Sequence, residues 1–244
     1  MRTKVLFMSL VLGCLWSCQQ DETIEQTDGQ TIKFTSVVIG DETLSRASGS
    51  TSIDVISMRT ELDDKFTVFD LKKDTRSWGE FSKKSEVFFY AHYPRLPESV
   101  ASNETRVLEG GTNDYLFGKA KAVAGQQQVC LQFKRVMAPL IVEVLDGDGR
   151  SYQGDIEVSA LIKNKGVQNL KDGSIVILDE KKYTAFNRFD NGVKQALNLL
   201  PQRIEKGTPF QVRLSNGVTY TATVGEAVQL NSGESYKAVV RGAR

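Results

Sequence analysis

Apolar and polar residues alternate with a period of two along most of the chain, in short runs broken by Gly, Pro, Asn and Asp. Ile32 and Phe34, continued by Val37, Val38 and Ile39, predict a first strand over 31–39. The polar stretch DETLSRASGSTS that follows reads as an exposed connection. LDDKFTVFDLKKD predicts a strand with Phe66, Val68 and Asp70 on one side, and EVFFYAHYP a denser one, closed by Pro94 before the loop RLPESVASNET. From Gln128 onward the pattern sharpens. Val129, Leu131 and Phe133 alternate, then Leu140, Val142 and Val144, with Pro139 separating the two runs, then Ile156, Val158 and Ala160. Short strands follow at GSIVILD, TPFQVRL, GVTYTATV, AVQL and ESYKAVVRG. Asn216-Gly217, set between Val212/Leu214 and Tyr220/Ala222/Val224, predicts a hairpin because both turn residues tolerate positive φ. GVKQALNLL suits two helical turns or a strand, and no long amphipathic helix competes. Many strands with short turns favour antiparallel sandwiches over a βαβ enzyme fold. The Asp146-Gly147-Asp148-Gly149 turn marks the expected division between two β domains, with one large sandwich as the alternative.

The N-terminus breaks this pattern. Arg2 and Lys4 precede an apolar run from Val5 to Trp16, too short for a permanent membrane span but matched to the centre of an export signal. Leu15-Trp16-Ser17-Cys18 resembles the lipobox of bacterial lipoproteins, with Cys14 as a second candidate. Residues 1–17 are therefore expected to be a signal peptide and Cys18 the lipidated residue. Residues 18–30 carry Asp21, Glu22, Glu25 and Asp28 without an apolar face and read as the anchor and tether.

Composition adds mainly exclusions. Lys+Arg 31 against Asp+Glu 30, or 29 against 30 once Arg2 and Lys4 are removed, gives no general attraction to nucleic acid. If both early cysteines lie in the leader, Cys130 is left alone and cannot form an internal disulfide. In VCLQF it is expected to be a small buried hydrophobe. His92, the single histidine, lies in FFYAHYP and is expected to pack, not to act as a base. DGDG departs from a calcium loop because Arg150 and Ser151 stand where an oxygen donor and a glycine are needed, so a hairpin turn is expected there. Neither a Gly-x-Ser-x-Gly elbow nor a phosphate-binding loop occurs, and no catalytic residue, cofactor or metal is expected.

Taken in order, the Cys18 lipobox, Ser45-Arg46-Ala47, FFYAHYP at 88–94, NDYLFGKA at 113–120, VCLQFKRVMAPLIVEV at 129–144, LLPQ at 199–202 and the terminal NSGESYKAVV resemble the fimbrillin-like family of surface lipoproteins and pilus subunits of Bacteroides-type bacteria. The resemblance implies an all-β protein of two antiparallel β-sandwich domains with transthyretin-like topology, over 31–145 and 146–244. It implies an exported lipoprotein at the outer membrane and cell surface, with no enzymatic activity. Its partners would be other fimbrial subunits and a host or bacterial surface ligand. In polymerising members, cleavage after an arginine near the first strand removes that strand, and a strand from another subunit fills the groove. Arg46 resembles the processing position, with Arg59 in SMRTE as the weaker alternative. The displaced strand would carry Ile32, Phe34, Val37 and Ile39. The other functional reading is a monomeric surface adhesin or carbohydrate-binding module. The sequence departs from the family in a short interval from Phe34 to Pro94 and in Lys134 or Arg135 where a histidine is familiar, which leaves the subunit role open.

Overall fold

The computed structural model of the chain describes residues 30–39, 53–81, 84–98, 100–145, 148–178, 181–188 and 196–241. In chain order the strands of the first part are β1 (Thr31–Ile39), β2 (Val55–Thr60), β3 (Thr67–Asp70), β4 (Arg76–Ser77), β5 (Glu86–Tyr93), β6 (Thr105–Glu109), β7 (Leu116–Val123) and β8 (Gln128–Arg135). Then follow β9 (Ala138–Leu145), β10 (Ile156–Lys163), β11 (Lys165–Asn169), β12 (Ile175–Ile177), β13 (Lys181–Arg188) and β14 (Leu197–Leu199). The last are β15 (Arg203–Ile204), β16 (Pro209–Leu214), β17 (Thr219–Thr223), β18 (Val228–Gln229) and β19 (Tyr236–Arg241). One 3-10 turn, Trp78–Phe81, is the only helical element among the described residues, so the protein is all-β.

A seven-stranded sheet, in the order β3-β2-β5-β7-β8-β1-β4, organises the first part. Alternation explains its faces: along β8, Val129, Leu131 and Phe133 point into the core and the residues between them point out. Cys130 consequently lies exposed on the outer face, contrary to the expectation of burial, because its odd-numbered neighbours take the inward positions. At the far end of the sheet, β3 runs in a different phase from the one expected. Phe69 enters the core and Val68 does not, while Phe66 precedes the strand and packs with Leu96 and Leu170. The main core is rich in aromatic side chains, among them Phe34, Phe69, Trp78, Phe81, Phe89 and Phe133. Its rings meet edge to face, as in Phe34–Phe89 at 4.9 Å and Phe81–Phe89 at 5.9 Å between centroids.

Strands of the second part form the sheets β13-β10-β16-β17, β14-β9-β19 and β15-β18. Leu140, Val142 and Val144 of β9 face Ile156, Val158 and Ala160 of β10 across an aliphatic core. Pro139 lies inside β9, opposite Asn198, and the break between the two alternating runs falls at Val136–Met137 instead. The segment around Leu197–Leu199 is strand, not helix. At the predicted hairpin, β16 and β17 pair antiparallel, Gly217 has φ of 89°, and the Asn216 side chain accepts from Val218 N at 3.1 Å.

A third sheet, β12-β11-β6, joins the two parts, since β6 comes from before β7 and β11 from after β10. Leu108, Val136, Met137 and Leu200 pack in the small core beneath it.

Candidate functional site

Local chain geometry makes β1 unlike its neighbours. It pairs with β8 in parallel over its length, from Lys33↔Gln128 to Ile39↔Lys134, and this pairing joins residues nearly a hundred positions apart. On its other side β4 contacts only Thr31 and Ile32. From Lys33 to Ile39 no strand pairs with that outer edge among the described residues. The inward side chains are Ile32 and Phe34, both buried, with Val38 packed partly against the same core. Phe34 meets Phe69 at 5.3 Å as well as Phe89. Val37 and Ile39 are 47% and 42% exposed, so the four residues expected on this strand divide between its two faces. A pocket of about 700 Å³ begins where β1 stops, between Ile39, Lys134–Val136 and the Ser232–Ser235 loop.

The other expected site residues are placed less evenly. Cys18 and Arg46 lie outside the described residues, as do Asp146 and Gly147 of the DGDG turn. Arg59, the alternative processing residue, sits near the end of β2 at 5% exposure, where no protease can reach it in the folded state. Among the described residues, no group of His, Cys, Asp and Glu side chains could hold a metal ion. No described helix is long and apolar enough to cross a membrane.

A line of buried polar side chains runs along the junction, and of these only His92 was expected from the sequence to pack. His92 is fully buried between Phe66 and Phe117, and its Nε2–H donates to the Leu170 carbonyl at 2.9 Å. Burial, reinforced by Arg106 and Arg59, lowers its pKa to about 3, so the imidazole is neutral and cannot serve as a base near neutral pH. Arg106 donates from Nε to Gln168 Oε1 at 2.9 Å and from Nη1 to the Pro94 carbonyl at 3.2 Å, and burial brings it down to about 10. Arg59 donates to the Lys171 carbonyl at 3.4 Å. These contacts fasten the segment from Gln168 to Lys171 onto the seven-stranded sheet. Each joins residues far apart in sequence, so the only local signal was polarity inside an apolar strand, as at His92 in FFYAHYP.

With this arrangement in view, comparison with known proteins identifies the class. Residues 48–241 match the model of the Fimbrillin-like family, and the chain belongs to that family. The match begins after β1. A comparison with curated proteins gives no match. Among solved structures, a candidate cell adhesion protein of Bacteroides thetaiotaomicron is 33% identical, with a TM-score of 0.68 over 87% of this chain and 93% of its own. Candidate cell adhesion proteins of Bacteroides ovatus and Bacteroides uniformis share the fold. The first is 16% identical at TM-score 0.64, over 87% of this chain and 92% of its own. The second is 13% identical at 0.65, over 88% and 94%. Family membership makes the chain a structural, non-enzymatic surface protein.

Proposed function

We propose that the chain is an exported lipoprotein, anchored through Cys18 at the outer membrane and displayed at the cell surface, that assembles with fimbrial subunits by exchanging β1. The observation that carries this reading is β1 itself: a strand paired with β8 on one side and largely unpaired on the other, outside the family-matched range, that plugs an aromatic core with Ile32 and Phe34. Arg46 stands between β1 and the start of that range, where one cut would release the strand. Loss of β1 would bare apolar side chains and the β8 edge, and an incoming strand would restore both. The grouping of buried residues, one cluster ending at Phe133 and another starting at Ala138, favours two sandwich units divided ahead of the expected 145/146 border. Transthyretin-like topology remains the family expectation for each.

An arginine-specific protease provides the test. Cleavage after Arg46, confirmed by mass and by release of residues 31–39, should yield a species that polymerises or takes up a synthetic strand, while Arg46→Ala stays monomeric. A cleaved, strand-free protein that neither polymerises nor takes up a strand would exclude strand exchange. Metabolic labelling with a fatty acid, lost in Cys18→Ser, checks the anchor. A second reading, a monomeric surface adhesin, is favoured by the description of its 33% identical relative as a candidate cell adhesion protein.

A further inference from the structure

The outer face of the seven-stranded sheet carries a row of side chains that the assembly role does not use. Arg59 on β2 lies opposite Tyr90 on β5, and Tyr90 opposite Lys119 on β7. Directly opposed residues share a face, so the three stand together away from the aromatic core. The Arg59 guanidinium is stacked 4.5 Å from the Tyr90 ring centroid and 5.3 Å from Phe66. The Lys119 ammonium lies 5.4 Å from Tyr90 and 5.0 Å from Phe88. The turn after β11 brings Lys171 and Asp172 over the row and closes a pocket of about 290 Å³, with Phe117 on a further wall.

The lining carries three cations, Arg59, Lys119 and Lys171, against two carboxylates, Glu61 and Asp172, and Asp63 also attracts Arg59. Among the described residues, no carboxylate lies within 4.0 Å of Arg59, Lys119 or Lys171. Arg59 is buried, its Nε has no partner, and its protein acceptors are two carbonyls, those of Thr60 at 2.8 Å and Lys171 at 3.4 Å. Stacking on aromatic faces recovers only part of the cost of burying such a charge. Glu61 and Asp172 share the lining, but the Asp172 carboxylate already accepts from Ser174 N at 2.9 Å and Ser174 Oγ at 2.6 Å.

We propose that this pocket binds an anionic saccharide unit, a single pyranose ring bearing a carboxylate or sulfate. The acid group would face Arg59, Lys119 and Lys171 through charge-assisted hydrogen bonds. The ring's C–H face would lie against Phe117 and the edge of Tyr90, whose faces Arg59 and Lys119 cover, and Glu61 would accept from hydroxyls. The volume is at the small end for ligand sites, which suits one ring and not an extended chain. None of these residues lies on β1, so binding is independent of strand exchange; the site gives the adhesin reading a ligand class and rests on it only for its biological use.

Calorimetric titration of the full chain with 3′-sialyllactose, glucosamine 6-sulfate, lactose and sodium sulfate tests the proposal. Saturable binding of one anionic sugar and none of lactose is expected, and which sugar binds tells carboxylate from sulfate. Lys119 and Lys171 are both exposed, so the K119A/K171A variant should fold normally and weaken binding by about tenfold to a hundredfold. No saturation with either sugar, unchanged affinity in the variant, or inorganic sulfate binding as tightly as the sugars would each overturn it. A chain that binds sugar but never polymerises would refute strand exchange alone.

Discussion

Each part of the molecule carries one parallel strand beside a long central one, β1 on β8 and β19 on β9, yet the two are seated differently. The inward residues of β1 are sealed into aromatic packing, with Ile32 at 0% and Phe34 at 4% exposure. Those of β19, Tyr236, Ala238 and Val240, are only half-buried and border an apolar crevice of about 290 Å³ lined also by Leu140, Val158 and Phe210. Position at the edge of a sheet therefore does not decide how tightly a strand is held. The size and interlocking of the side chains it contributes does, because close contact is what dispersion and exclusion of water reward.

The contrast can be broken most directly by truncation. Phe34→Ala should cost about 3–5 kcal/mol in urea denaturation, whereas Val240→Ala should cost about 1 kcal/mol. Equal losses would mean that the crevice beside β19 closes in solution. Next in size is the junction between the parts. His92 has a folded pKa of about 3 against 6.5 unfolded, so its contribution is complete above pH 6.5 and is lost as pH falls toward 3. Between pH 7 and pH 5 this amounts to about 2 kcal/mol, which His92→Gln should remove from the pH profile. Asp114 acts in the opposite sense. Burial raises it to about 6 despite its 2.8 Å contact with Arg135, so its contribution is complete below 3.8 and fades as pH rises through 6. Comparison of His92→Gln with the unsubstituted chain cancels that shared background.

Filling space offers a finer test. Ala122, fully buried in the aromatic core, should lose about 1–3 kcal/mol on substitution by valine. Ala238→Val, at the wall of the crevice, should instead be neutral or gain up to about 1 kcal/mol. The smallest effect belongs to Cys130 on the outer face. Cys130→Ser should change stability by less than about 0.5 kcal/mol, and the native thiol should react with a maleimide without unfolding.

Local alternation made most strands legible, as at Leu140, Val142 and Val144 or Ile156, Val158 and Ala160, because a half-buried strand must show one face to the core. The same rule misled at Phe69, where neighbouring apolar residues fit either phase and only tertiary packing chose between them, whereas at Cys130 the alternation held and the expectation of burial, drawn from residue type, failed. Parallel pairing of β1 with β8 left no trace, since nothing near Thr31–Ile39 encodes a partner so distant in the chain. Of the candidate sites, the strand Thr31–Ile39 was visible as a pattern. The row Arg59, Tyr90 and Lys119 was not, because three strands must be laid side by side before those side chains meet.

The direction of β1 also has a mechanical meaning. A parallel strand enters at one end of its partner and leaves at the other. Thr31 lies beside the start of β8, and Ile39 lies near the Ser232–Ser235 loop of the second part, about 30 Å further along for nine residues. If the chain is held from its N-terminal side while a bound partner drags on the second part, tension runs lengthwise along β1. The rungs to β8 are then loaded together in shear and do not peel open one at a time. The strand is thus oriented to resist being pulled out along its length.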